Sequence, residues 1–188
     1  MVSKTKKEVK RFLGMFFRYF ILIITAFPRF EIFFIVFTPL TIYPVFFLLS
    51  FFYSATLSGI VITVKDLITI EMIRACIAGS AYYLLFVLNM SIPNIRLRKR
   101  VSMILFAFVL FLIANILRIF FLSIMAISGS SYFDITHKFF WYFLSTVFVV
   151  GVWFIEVKIF NIKEIPFYSD IKYLYKKSTL SHVKRKKK

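Results

Sequence analysis

The fold this sequence predicts is an all-α integral membrane bundle of four spanning helices, five at most, and three observations lead there. Of 188 residues, 61% are hydrophobic and 27 are phenylalanine, more apolar surface than a soluble domain of this length can hide. Only eight residues are acidic against 25 basic, and the basic ones sit in blocks beside apolar runs, as juxtamembrane anchors do. Residues 32–52 carry no charge and are long enough to cross ~30 Å of hydrocarbon at ~1.5 Å per residue. A bilayer accepts such a chain provided its backbone polar groups pair internally, which helices achieve. The formal net charge of +17 then points to lipid headgroups, with no nucleic acid as partner.

Each element follows in order. Residues 1–11, MVSKTKKEVKR, are basic, and an apolar stretch 12–27 follows, interrupted by Arg18 and closed by Pro28 and Arg29. The run 32–52 contains Pro39 and Pro44, which should kink it. Residues 54–70, SATLSGIVITVKDLITI, are too short to span. Their small, polar and alternating β-branched residues read as an ordered, partly extended extracytoplasmic loop at the membrane surface. A third apolar run, about 71–92, ends at Pro93 before the basic cluster Arg96, Arg98, Lys99 and Arg100. The fourth runs from about 101 to 127 and the fifth from about 135 to 157, with Asp134 as its amino-terminal cap. After Pro166 the chain turns polar and ends in HVKRKKK, read as an unstructured tail lying on anionic lipid. The chain is thus one membrane domain: a basic amino-terminal region (1–31), a helical core (32–157) and a basic cytoplasmic tail (158–188).

Orientation follows from the basic segments. With 96–100 and the tail cytoplasmic, the third run enters from outside, the fourth leaves and the fifth returns. Lys7, Arg11, Arg18 and Thr25 fall near one side of a helix, so 12–27 reads as a cytoplasmic interfacial helix. A fifth span with an external amino terminus is the competing reading. No small-residue cleavage site follows the run, which argues against a signal peptide.

This topology puts polar residues near the outer ends of three successive helices: Cys76 in the third, Asn115 and Arg118 in the fourth, and His137 at the start of the fifth. A charged group within a span costs at least ~2.5 kcal/mol on insertion scales and is kept mainly where it meets a wet cavity or a partner. Asn115 lies one turn before Arg118 and projects on the same side. Cys76 is the only cysteine, so neither a disulfide framework nor a multi-cysteine metal site is available. Beside two cationic groups its thiol would favour the thiolate, the nucleophilic form. The small residues Ala78 and Gly79 would let another backbone approach. The same residues have plainer readings: a buried cysteine as a small hydrophobe, the small residues as a packing face, and the Asn115–Arg118 pair as structural glue.

In order along the chain, ACIAGSAYYLL (75–85), NILRI (115–119) and THKFFWYF (136–143) resemble the core of the exosortase and archaeosortase family, membrane-embedded cysteine transpeptidases, over roughly residues 55–157. The chain is short and is more similar to the small archaeal versions. Ile77 stands directly after the cysteine, where the family often has a small residue. The resemblance implies a catalytic set of Cys76 as nucleophile, Arg118 and His137, at the extracytoplasmic face of a multi-pass cell-membrane protein, with Asn115 in support. It further implies cleavage of carboxy-terminal sorting signals of exported surface proteins through a thioester, with possible transfer to an acceptor. The partners would be membrane lipids and the sorting-signal helix. No metal or nucleotide motif is present, so no cofactor is implied. A non-enzymatic small membrane protein, a transporter or channel subunit or an assembly factor, is the alternative.

Overall fold

Helix α1 (Val2–Ala26) and helix α2 (Glu31–Phe52) are joined by a tight turn in which Arg29 and Phe30 both take positive φ. The computed structural model describes residues 2–27, 29–65 and 67–177. His182 and the terminal HVKRKKK run, expected on lipid, lie outside the described residues, as do the side chains of Lys7 and Arg11. Helix α2 continues through Pro39 and Pro44 as one helix, although neither proline can donate to the turn before it.

The extended loop expected at 54–70 is more regular than its composition required. Strands β1 (Ala55–Ser58), β2 (Val61–Val64) and β3 (Ile68–Glu71) form an antiparallel sheet in the order β1-β2-β3. The tight turn between β1 and β2 uses Gly59 at φ 61°, the left-handed conformation that costs glycine least. Alternating Val, Ile and Thr suit a pleated surface with one buried face, and β2 buries Ile62 and Val64 completely. The all-α expectation is corrected on this point: the chain is mostly helical, at 73%, with a small sheet added.

The third apolar run is not one helix. Residue 71 belongs to β3, and a single turn, α3 (Arg74–Ile77), ends at Ala78 with φ 57° before α4 (Gly79–Met90) begins. Helix α5 (Leu97–Ile127) is the longest element. The fifth run is also divided into α6 (Phe133–Phe139), a π turn at Phe140–Leu144 and α7 (Ser145–Ile159), the two helical parts meeting at 46°. Glu31–Phe52 and Leu97–Ile127 are long and apolar enough to cross a membrane, and the bent fifth segment would make a third crossing. The tail expected to be unstructured contains a helix, α8 (Tyr168–Lys177).

Aromatic packing joins α2, α4 and α5. The rings of Phe37 and Tyr82 stack at 3.5 Å between centroids, and Phe108 and Phe111 meet Tyr82 edge-on at 5.7 and 4.9 Å. Where lipid tails are as apolar as side chains, this close packing holds helices together, because burial alone gains little. Gly79 supplies space for it: a Cβ there would lie 2.8 Å from the Phe34 ring. The small residues after Cys76 thus admit a ring, where the sequence suggested an approaching backbone.

At one end of the molecule, α1, the α4–α5 turn and α8 converge. Arg18 donates to the carbonyl of Ile92 at 2.8 Å and to the Asp170 carboxylate at 2.8 Å. Arg100 donates to the carbonyls of Met90 (3.0 Å) and Ile92 (2.7 Å). Both guanidiniums therefore satisfy carbonyls that α4 leaves unpaired at its carboxy terminus, where a cation also meets the helix dipole favourably. The polar stripe of α1 was expected to face the interface. Arg18 turns into the protein instead, while Phe12, Phe16, Phe20 and Ile23 are exposed. The reason is local: in an apolar bundle with few free acceptors, the carbonyls at the end of α4 and the Asp170 carboxylate give the guanidinium its partners.

Candidate functional site

Cys76 lies in the one-turn helix α3, clamped between β3 and the left-handed Ala78 that starts α4. Its amide donates to the carbonyl of Ile73 at 2.9 Å, closing the turn. The Cys76 carbonyl accepts from the side-chain amide of Asn115 at 2.8 Å. Asn115 is 1% exposed, so this bond fixes the height of the cysteine turn against α5.

One turn further along α5, Arg118 is also buried, at 6% exposure. Its guanidinium donates to Ser145 Oγ at 2.8 Å, and that hydroxyl donates to the carbonyl of Phe140, again at 2.8 Å. The π turn accounts for this chain of bonds. Widening the helix by one residue leaves the Phe140 carbonyl within reach of a side chain five positions on, and π turns are frequent at functional positions. Arg118 Nε, buried, has no hydrogen-bond partner among the described residues. Ser145 was not anticipated from the sequence. A serine in an apolar run carries no signal of its own, since the signal is the Arg118 it faces from 27 positions away.

His137 sits on α6 with its ring stacked on Phe133 at 5.5 Å and tilted against Trp141 at 6.2 Å. It is partly buried. The aromatic neighbours orient the imidazole while leaving its nitrogens available. Asp134, expected to cap the helix, lies in its first turn and makes no capping hydrogen bond.

These three side chains line one cavity of about 330 Å³. Cys76 comes from the turn after the sheet, Arg118 and Ser123 from α5, His137 from α6, and β3 with Met72 forms a further wall. The structure therefore brings together the Cys76, Arg118 and His137 named from sequence. Asn115 stands behind Cys76 as a support for its backbone and is not part of the lining. The lining is largely apolar with a few convergent polar groups, the composition of a site that binds an organic group and excludes bulk water. Chemically, a thiol, an imidazole and a guanidinium around one space can supply a nucleophile, a proton carrier and a fixed positive charge.

Arg74, beside the cysteine turn, has specific partners. It pairs with Glu31 of α2 and lies over the Phe34 ring at 4.3 Å, tying the start of α3 to α2. No protein-family model matches the chain, and no curated protein or solved structure matches it either.

Proposed function

We propose that the protein is a membrane-embedded cysteine peptidase or transpeptidase acting on carboxy-terminal sorting signals of exported proteins. The observation that carries this reading is that Cys76, Arg118 and His137, from three separate elements, line one cavity. A charged or polar group in an apolar bundle is costly and is kept mainly where it meets a wet cavity or a partner, and these three meet at one cavity.

The chemistry assigned to the site is acyl transfer. His137 takes the proton of the Cys76 thiol as the sulfur attacks the scissile carbonyl. Arg118, held by Ser145, offsets the negative charge on the carbonyl oxygen. The tetrahedral adduct collapses to a thioester as His137 passes the proton to the departing amine. An acceptor amine then takes the acyl group, or water does, and the thiol is restored.

Topology fits this assignment when the basic segments are cytoplasmic. Arg18, the α4–α5 turn and α8 share one end of the molecule. The cavity lies about 27 Å away along α5, counting 18 residues from Arg100 to Arg118 at ~1.5 Å each. On this reading the cavity belongs to the outer leaflet, with the sheet above it at the surface and a multi-pass bundle of four crossings below. The substrate's apolar helix would lie in the lipid beside the bundle, with its basic end inside.

The hydrogen bonds of Asn115 and Arg118 also suit a purely structural pair in a non-enzymatic protein. One experiment separates the two readings. In membranes of the native host, Cys76→Ala should leave sorting-signal precursors at full length, and hydroxylamine should release a trapped acyl group from wild type when the acceptor is withheld. Normal processing by Cys76→Ala would end the enzymatic reading.

A further inference from the structure

The sheet that walls the cavity has two outer strands, and of these only β3 borders the cavity. Strand β1 packs on α2, with Ala55 and Leu57 against the core. Strand β3 pairs only with β2, in the register Ile62↔Ile70 and Thr63↔Thr69. In an antiparallel ladder, residues alternate between those bonded to the neighbouring strand and those whose amide and carbonyl point the other way. The bond from Met72 N to Ile60 O at 2.9 Å sets the phase: Met72, Ile70 and Ile68 face β2. Thr69 and Glu71 must then turn their backbone amides outward. The opposite edge obeys the same phase, because Lys65 N donates to Ser54 O at 2.9 Å and leaves 61, 63 and 65 to β1.

Among the described residues, no other element bonds the Thr69 amide, the Thr69 carbonyl or the Glu71 amide, while the Glu71 carbonyl is taken by Ile73 N at 3.1 Å. Open strand edges are usually blunted by a charge, a proline or a covering element, since they recruit other chains. The open edge here borders the cavity that holds Cys76, and all four β3 residues line it. The chain runs directly from that edge through Met72 and Ile73 into the α3 turn that carries the thiol.

We propose that β3 is the docking edge for an extended peptide, which adds to the sheet as a fourth strand and is thereby delivered to Cys76. This rests on the acyl-transfer reading and deepens it by assigning substrate recognition to backbone pairing. The occupant is the short segment of a sorting signal at the scissile bond, held extended before its apolar helix begins. Backbone bonds from Thr69 and Glu71 supply affinity that does not depend on peptide sequence, and the cavity wall selects side chains at alternate positions. Extension also presents the scissile carbonyl free of the hydrogen bond it would make within a helix.

The test uses the full chain in proteoliposomes and reads alkylation of the sole cysteine by intact mass. The probe is a tetra-alanyl chloromethyl ketone, compared with the same peptide methylated on its backbone nitrogens. Wild type should react at least tenfold faster with the unmethylated peptide. Thr69→Pro removes one outward amide, a change an edge strand tolerates, and should abolish that preference while its rate with iodoacetamide stays within twofold of wild type. Equal rates of the two peptides on wild type would overturn the proposal, as would a preference that survives intact in a folded Thr69→Pro protein. Should that variant not fold, the comparison on wild type still decides. Failure of the enzymatic reading shows elsewhere, in normal precursor processing by Cys76→Ala.

Discussion

The side chain of Asn115 donates to the backbone carbonyl of Cys76 at 2.8 Å, so that the position of the thiol is set by α5 and not by its own short helix. A four-residue turn between a strand and a left-handed alanine has little stability of its own. Asn115→Leu should strand that carbonyl and cost about 1–3 kcal/mol, the usual penalty for a buried polar group deprived of its partner. Alkylation of Cys76 by iodoacetamide should change at least fivefold with it. Unaltered stability and reactivity would show that the bond does not position the turn.

Ser145 should matter through Arg118. Ser145→Ala removes the acceptor of the 2.8 Å bond and leaves the guanidinium free to rotate in the cavity. If the protein performs the proposed acyl transfer, precursor processing should fall about tenfold, the effect of losing ~1.4 kcal/mol of transition-state stabilisation. Arg118→Lys should fall further, because a compact ammonium lacks the rigid planar fork that lets one nitrogen of the guanidinium meet Ser145 while another faces the cavity. Immunoblots of precursor and product over time measure both.

Gly79→Ala is expected to destabilise the bundle by about 1–3 kcal/mol through overpacking. The added methyl would meet three carbons of the Phe34 ring at 2.8–2.9 Å, and Phe34 is itself pinned under Arg74. Combining it with Phe34→Leu should recover most of the loss. A double-mutant cycle in mild denaturing detergent gives the coupling, and strict additivity would refute the contact.

Tyr82→Phe should be neutral or stabilising. The Tyr82 ring stacks on Phe37 while its hydroxyl is buried without a hydrogen-bond partner among the described residues, so deleting the oxygen removes a desolvation cost of about 1–3 kcal/mol and leaves the stack intact. Thermal unfolding of the two proteins side by side checks the sign.

Asp170→Ala should release α8. The carboxylate is 3% exposed and holds Arg18 at 2.8 Å, and breaking a buried pair from one side typically costs about 3–5 kcal/mol. Arg18 keeps its bond to the Ile92 carbonyl, so the loss should fall towards the lower end of that range. Trypsin added to inside-out vesicles should then cut within 168–177 well before the wild type is cut there.

Much of this protein is legible along the chain because a bilayer imposes one-dimensional rules. Hydrophobic length marked the helices at 32–52 and 101–127, and β-branched alternation marked the extended segment at 54–70. Arg118 and His137 stood out because each is costly in an apolar run, and Cys76 because it is the sole cysteine of the sequence. What the tertiary structure decided depends on partners remote in sequence. The break at Ala78 exists because β3 and α4 approach Cys76 from different directions, which no local propensity encodes. Arg18 looks like an interfacial charge until Asp170, 152 residues later, and the carbonyls at the end of α4 are placed beside it. Ser145 acquires a role only opposite Arg118, and the edge of β3 only because the fold sets it beside the cavity that Cys76 lines. Composition sets the cost of each polar group in lipid; only three-dimensional packing determines which distant group offsets it.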